Sequence, residues 1–144
     1  MAQKRIKKPH EQKPVIAEYL SRKTSIKETA DNGLFVVSFK HLDKTQGLGI
    51  YQWEADKRLA NTVDILSGYC QRPLLEQCDG KKFTIYGDFP KRSAFTHPSY
   101  IPEDANWARI HIDGTHIIAG HIFHNTFFVV FLDHEHQFYI MAEK

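Results

Sequence analysis

From Trp107 onward the chain runs in short alternating apolar and polar stretches broken by tight-turn residues, and this pattern constrains the fold more than any other feature. Alternation with a period of two marks a strand that lays one face on a core. Residues 107–112 alternate, Asp113-Gly114 is a two-residue hairpin signal, and residues 115–123 give the next strand. His124-Asn125 fits a second tight turn, residues 127–133 a third strand and residues 137–140 a fourth.

Two-residue turns would fix the register. The first hairpin then pairs His111 with His116 and Arg109 with Ile118, and the second pairs Phe123 with Thr126, Gly120 with Val129 and His116 with Asp133. A turn at His134-Glu135 pairs Asp133 with His136. Directly paired residues share a face. One face is expected to carry Ile110, Ile112, Ile117, Ala119, Phe123, Phe128, Val130 and Leu132 and to pack on a helix. His121 falls on that face as a core histidine in need of a partner. The other carries Arg109, and a row of His111, His116, Asp133 and His136 across strands about 4.8 Å apart. It also carries Phe127, Val129 and Phe131, which need a cover, either from the long loop at 87–106 or from a partner.

Upstream, residues 34–39 (LFVVSF) read as a buried strand. A helix is expected over 51–67, where Trp53, Ala60, Val63 and Leu66 recur near helical spacing and Gly68 supplies a stop. Leu74, Leu75 and Cys78 fit a short second helix, and residues 81–86 a further strand after the Asp79-Gly80 turn. The expected fold is one α+β domain over 33–144. It has an antiparallel sheet of about five to six strands, one main helix, and a basic N-terminal arm over 1–32.

Charge separates the arm from the body. Residues 1–30 hold eight Lys/Arg against three Asp/Glu, whereas the rest holds 11 against 14. Lys4, Arg5, Lys7 and Lys8 in the arm suit nucleic acid or an acidic partner, and the plain alternative is a solvated tail. A body that is mildly acidic lacks the field of a dedicated DNA-binding domain. No apolar run approaches the roughly 18 residues that span a bilayer, and the N-terminus lacks the apolar stretch of a signal peptide. A cytoplasmic protein is therefore expected, with Cys70 and Cys78 as reduced thiols.

The histidine row suggests acid–base chemistry on a phosphodiester. Histidine can serve as base or acid because its ordinary pKa lies near 6.5, and arginine presents a fork that matches phosphate oxygens. Arg109, His111 and His136 supply that set, with His97 as an additional group and Lys91 and Arg92 to hold an RNA backbone. No cofactor is called for. The alternative chemistry is a metal site built from His111, His116, Asp133 and His136.

The segment WARIHIDGTHIIAGHIFHNTFFVVFLDHEHQFY resembles the C-terminal sheet of small uncharacterised bacterial and mobile-element proteins. The likeness rests on the Trp/Arg strand, the Gly-bounded hairpin and the ending Phe127, Val129, Phe131, Leu132, Asp133, His136, with SFKHLD (Ser38 to Asp43) upstream. The helix-plus-sheet layout is also similar to RelE/ParE-type toxins, many of which cleave messenger RNA without a metal. That resemblance implies a toxin or defence endoribonuclease with RNA as substrate and a cognate protein partner. The reading from another class is a non-catalytic binding module, antitoxin-like, phage inhibitor or regulatory adaptor, which would grip its partner with the arm and the uncovered sheet face.

Overall fold

In the computed structural model the alternating C-terminal runs form three consecutive strands, and the structure describes residues 33–47 and 49–141. The expected arm, with Lys4, Arg5, Lys7 and Lys8, lies outside the described residues. The elements are β1 (Val36–Ser38), α1 (Ile50–Ala55), α2 (Leu59–Tyr69), a short 3-10 turn (Leu74–Gln77), β2 (Phe83–Gly87), β3 (Asn106–His111), β4 (Ile117–Phe123) and β5 (Thr126–Asp133). They build one five-stranded sheet in the order β1-β5-β4-β3-β2. The fold is α+β, as the alternation requires, but the sheet is mixed: β1 runs parallel to β5, and the other neighbours are antiparallel. β1 is a short edge strand rather than a buried one. Asn125 fixes it at the β4–β5 turn, donating from Nδ2 to the Leu34 carbonyl at 2.7 Å and accepting Val36 N–H at 2.9 Å.

The expected single helix is two. Lys57 adopts a left-handed φ of 63°, and the N–H groups of Lys57 and Arg58 close back on the carbonyls of Glu54 and Trp53. This is a Schellman-type stop with lysine where glycine is usual, at a backbone cost of roughly 1–2 kcal/mol. The elbow lets fully buried Trp53 turn its Nε1 onto Thr62 Oγ1 at 2.7 Å, and Thr62 passes its proton to the Arg58 carbonyl at 2.8 Å.

The register differs from the two-residue expectation at two places. At the first hairpin, Asp113 Oδ1 accepts the N–H groups of Thr115 at 2.9 Å and His116 at 2.7 Å. Neither Asp113 nor Gly114 takes the positive φ of a type I′ turn. The loop therefore widens to Asp113-Gly114-Thr115, Ile112 faces His116, and His111 pairs with Ile117 instead of His116. The His124-Asn125 turn and the pairs Phe123–Thr126 and Gly120–Val129 are as expected. Beyond them a β-bulge at Val130 shifts the pairing by one, so Asp133 faces Ile117. The bulged Val130 carbonyl accepts Asp43 N–H at 2.9 Å, which leaves no orphan acceptor.

These shifts turn β4 over relative to the expectation. Ile110, Ile118, Ile122, Phe127, Val129 and Leu132 pack on the side of Trp53, Leu66 and Leu74. Ile117, Ala119, Val130 and Phe131 lie on the opposite side with Trp107, under Phe95, Ile101 and Phe138. Phe123, expected in the core, is 63% exposed. The loop between β2 and β3 thus forms a second covering layer, and Phe127, Val129 and Phe131 are all fully buried without a partner. Residues 137–140 are not a strand. They run beside residues 92–94, with Ala94 N–H on the Gln137 carbonyl at 3.0 Å and Ile140 N–H on the Arg92 carbonyl at 2.9 Å. Among the described residues no helix is long and apolar enough to cross a membrane.

At the bulge β4 and β5 approach so closely that a Cβ on Gly120 would lie 1.9 Å from the Phe128 carbonyl oxygen. Gly120→Ala is expected to cost about 3 kcal/mol or more, read as a lowered urea midpoint at constant slope. A midpoint equal to that of the parent protein would show that the two strands are not in this register.

Candidate functional site

β3 sets Arg109 and His111 two residues apart on the loop-covered face, and the chain beyond β5 brings His136 to them. That approach is enforced by Asp133, which is 2% exposed. Its Oδ1 accepts Glu135 N–H at 3.2 Å, and its Oδ2 accepts Gln137 and Phe138 N–H, each at 2.7 Å. The resulting turn drives Phe138 into the core and holds His136 at a φ of 60°. A non-glycine residue in the left-handed region is strained, and such strain clusters at functional sites.

Arg109 Nη1 donates to His136 Nε2 at 2.8 Å. The same His136 atom lies 3.4 Å from His111 Nε2, with the two ring centroids 5.0 Å apart. In its neutral form His136 therefore carries its proton on Nδ1, because Nε2 must accept from the guanidinium. Burial holds the His111 pKa below the ordinary histidine value. Arg109 and His136 act in the same direction, and the Asp113 carbonyl, 3.4 Å from Nδ1, opposes them. The guanidinium lies 5.8 Å from the centroid of the Tyr86 ring, which stacks on half-exposed Tyr139 at 4.7 Å. Burial pushes the Tyr86 hydroxyl up to about 12 against the pull of Arg109, so it stays protonated. Arg109 Nε and its cross-strand neighbour Thr84 Oγ1 are buried with no hydrogen-bond partner among the described residues. Unpaired buried polar atoms are uncommon, and here one belongs to Arg109 and another to the residue paired with it.

The structure brings together Arg109, His111 and His136 but not the whole expected row. His116 belongs to the hairpin loop and lies edge-on to Trp53 at 5.1 Å. Its Nδ1 is 3.0 Å from Asp113 Oδ1 and its Nε2 3.5 Å from Asp56 Oδ2. Asp113 also contacts Arg58 Nε at 2.7 Å, charge against charge without an aligned N–H. Burial works against the Asp113 carboxylate, yet the N–H groups of His116 and Thr115 and the His116 ring hold its pKa down to about 2. This group ties the hairpin to the α1–α2 elbow. Asp133 spends both oxygens on backbone N–H groups. The metal set His111, His116, Asp133 and His136 is therefore not assembled, and among the described residues no cluster of three or more His, Cys, Asp or Glu is arranged to hold a metal ion.

His97 is likewise elsewhere. It packs on Phe89 and on Trp107, two residues along β3 from Arg109, with Nδ1 2.9 Å from the Pro98 carbonyl. It stands near His121, whose partner is His41, at 3.0 Å between ring nitrogens and on the opposite face from that expected. Lys91 and Arg92 are exposed, and the Arg92 backbone is bonded to the strip that carries Tyr139. Sequence reasoning missed Thr84, Tyr86 and Tyr139. The alternation at Thr84 and Tyr86 was visible, but nothing in the sequence paired Thr84 with Arg109. Both cysteines are free, and burial raises both thiols.

No family model matches the chain, and neither a curated protein nor a solved structure does.

His121 gives the fold a pH dependence. Burial first, then His41 and His97, lower its pKa to about 4. A histidine kept neutral in the fold but protonated near 6.5 when unfolded contributes stability that is complete above about pH 6.5 and is lost as the pH falls toward 4. Thermal melts should show Tm dropping across that window, and His41→Phe combined with His121→Phe should flatten the drop. An unchanged slope in the double variant would assign the effect to other groups.

Proposed function

We propose that this chain is a metal-independent endoribonuclease of toxin or defence type. The observation that supports the reading is a guanidinium 2.8 Å from the His136 imidazole, which itself stands 3.4 Å from the His111 imidazole, beside a strained backbone and two unpaired buried polar atoms. Base, acid and phosphate-binding cation are then all side chains, and the cleavage has no step that requires a metal.

His111 is the base, since burial keeps it unprotonated near neutral pH. It takes the proton from the ribose 2′-hydroxyl as that oxygen bonds to phosphorus. The phosphate draws the Arg109 fork from His136 Nε2 and so frees that atom to carry a proton. The protonated His136 gives it to the departing 5′ oxygen as the P–O bond breaks. The products are a 2′,3′-cyclic phosphate and a 5′-hydroxyl. Tyr86 backs the guanidinium and donates as a neutral phenol. Tyr139 offers a ring for stacking, and Lys91 and Arg92 lie along its strip as contacts for the RNA backbone. On this reading the protein works in the cytoplasm, where its substrate is, restrained by a cognate protein partner.

Purified protein should cut RNA in the presence of a chelator. His136→Ala and His111→Ala should each lose about 10²-fold or more in rate, and the acid limb of kcat/KM should fall at a pH below 6.5 as His111 takes up its proton. Cleavage at the parent rate in His136→Ala would reject the assignment.

A further inference from the structure

We propose that the open cleft beside His111 is a nucleobase subsite selective for guanine, holding the nucleotide next to the scissile phosphate. The kind of ligand rests on the endoribonuclease reading; the location and selectivity rest on the cleft itself. The cleft measures about 650 Å³ and lies between the C-terminal end of α2, Gln77, the start of β2 and the β3–β4 turn. That size suits a nucleotide, since small-ligand pockets span roughly 300–1,000 Å³. His111 lines the cleft and also stands 3.4 Å from His136, so the cleft and the candidate site share this residue.

The walls divide by chemistry. Ile65 and Ile112 supply apolar surface for the flat of a base, and Lys81 and Lys82 form an exposed rim suited to a phosphate. Among the remaining polar groups, Tyr69 and His111 can donate or accept, whereas Gln77 and Asp64 offer acceptors. Gln77 Nε2 already donates to the carbonyls of Tyr69 at 2.7 Å, Arg72 at 3.1 Å and Pro73 at 3.2 Å, which leaves its Oε1. Asp64 is a carboxylate on the same cleft and only accepts. The edge of a base that meets Asp64 must bring donors. Guanine presents a ring N–H beside an amino group, a pair that matches the two oxygens of one carboxylate. Uracil sets its single N–H between two carbonyls, which would face Asp64 with lone pairs against charge.

Two glycines line the cleft. A Cβ on Gly68 or Gly114 would meet nothing within 4 Å. Gly68 lies within α2 and is exposed, so replacing it favours the helix while filling the cleft. Asp64 is exposed as well, and Asp64→Asn leaves the core untouched.

The test is a methyl and imidazole NMR titration of the full chain with guanosine 5′-monophosphate, uridine 5′-monophosphate and inorganic phosphate. The guanine nucleotide should move the Ile65, Ile112 and His111 signals and bind about tenfold or more tightly than the uridine nucleotide, a difference near 1.4 kcal/mol. Gly68→Phe should weaken it about tenfold while inorganic phosphate binds as before, and Asp64→Asn should bring the two nucleotides within about twofold of each other. Equal affinity of the two nucleotides for the parent protein, or guanine-nucleotide binding that Gly68→Phe leaves unchanged, overturns the proposal. RNA cleavage by His136→Ala is the separate arm. Parent-rate cleavage there, with the guanine nucleotide still seated at Ile65 and Ile112, removes the catalytic reading and keeps the subsite; its loss with no nucleotide at those residues does the reverse.

Discussion

Three backbone N–H groups converge on the buried carboxylate of Asp133, and the candidate site exists because they do. A charged acceptor taken out of water is costly unless its lone pairs are filled, and here Glu135, Gln137 and Phe138 fill them. Satisfying the carboxylate reverses the chain immediately after β5. The reversal puts Phe138 under the sheet and leaves His136 at the apex with its ring over Arg109 and His111. The left-handed φ of His136 is sustained by bonds and burial on both sides of it.

The sheet register makes that placement useful. The widened Asp113 loop displaces the first hairpin by one residue, and the bulge at Val130 displaces the second by one. The two offsets compensate across the strands. His111 faces Ile117 and Ile117 faces Asp133, so His111 and Asp133 remain in one row although His116 has left it. Either offset alone would put them on opposite faces, because a one-residue slip inverts a strand. His116, released from the sheet, braces the hairpin against Trp53 and Asp56.

Much of this was legible in the sequence, and what was not has a physical cause. The strands from β3 to β5 follow from alternation, and the turn at His124-Asn125 from its residue types. The widened first turn escaped because an aspartate can either occupy a type I′ turn or cap the next two N–H groups with its side chain, and the sequence does not say which. The break between α1 and α2 escaped because it rests on a lysine in the left-handed region, where glycine would have marked it. Arg109, His111 and His136 were chosen for their chemistry and do meet, whereas His97 was chosen for its loop and belongs with His41 and His121. The parallel docking of β1 depends on Asn125, 91 residues away from Leu34, a contact no local pattern announces.

On the proposed reading, the site depends on a hydrogen bond that fixes which nitrogen of His136 carries the proton. With Arg109 donating to Nε2, the neutral ring keeps its proton on Nδ1, and the Nε2 atom held by Arg109 is the one that stands 3.4 Å from His111 Nε2. Long-range ¹H–¹⁵N NMR of the imidazoles, recorded above the histidine titration range together with ring-to-ring NOEs, reads this directly. The account predicts the Nδ1–H tautomer for His136 and a cross-peak between the His136 and His111 rings. An Nε2–H tautomer for His136 with no contact between the two rings would contradict it.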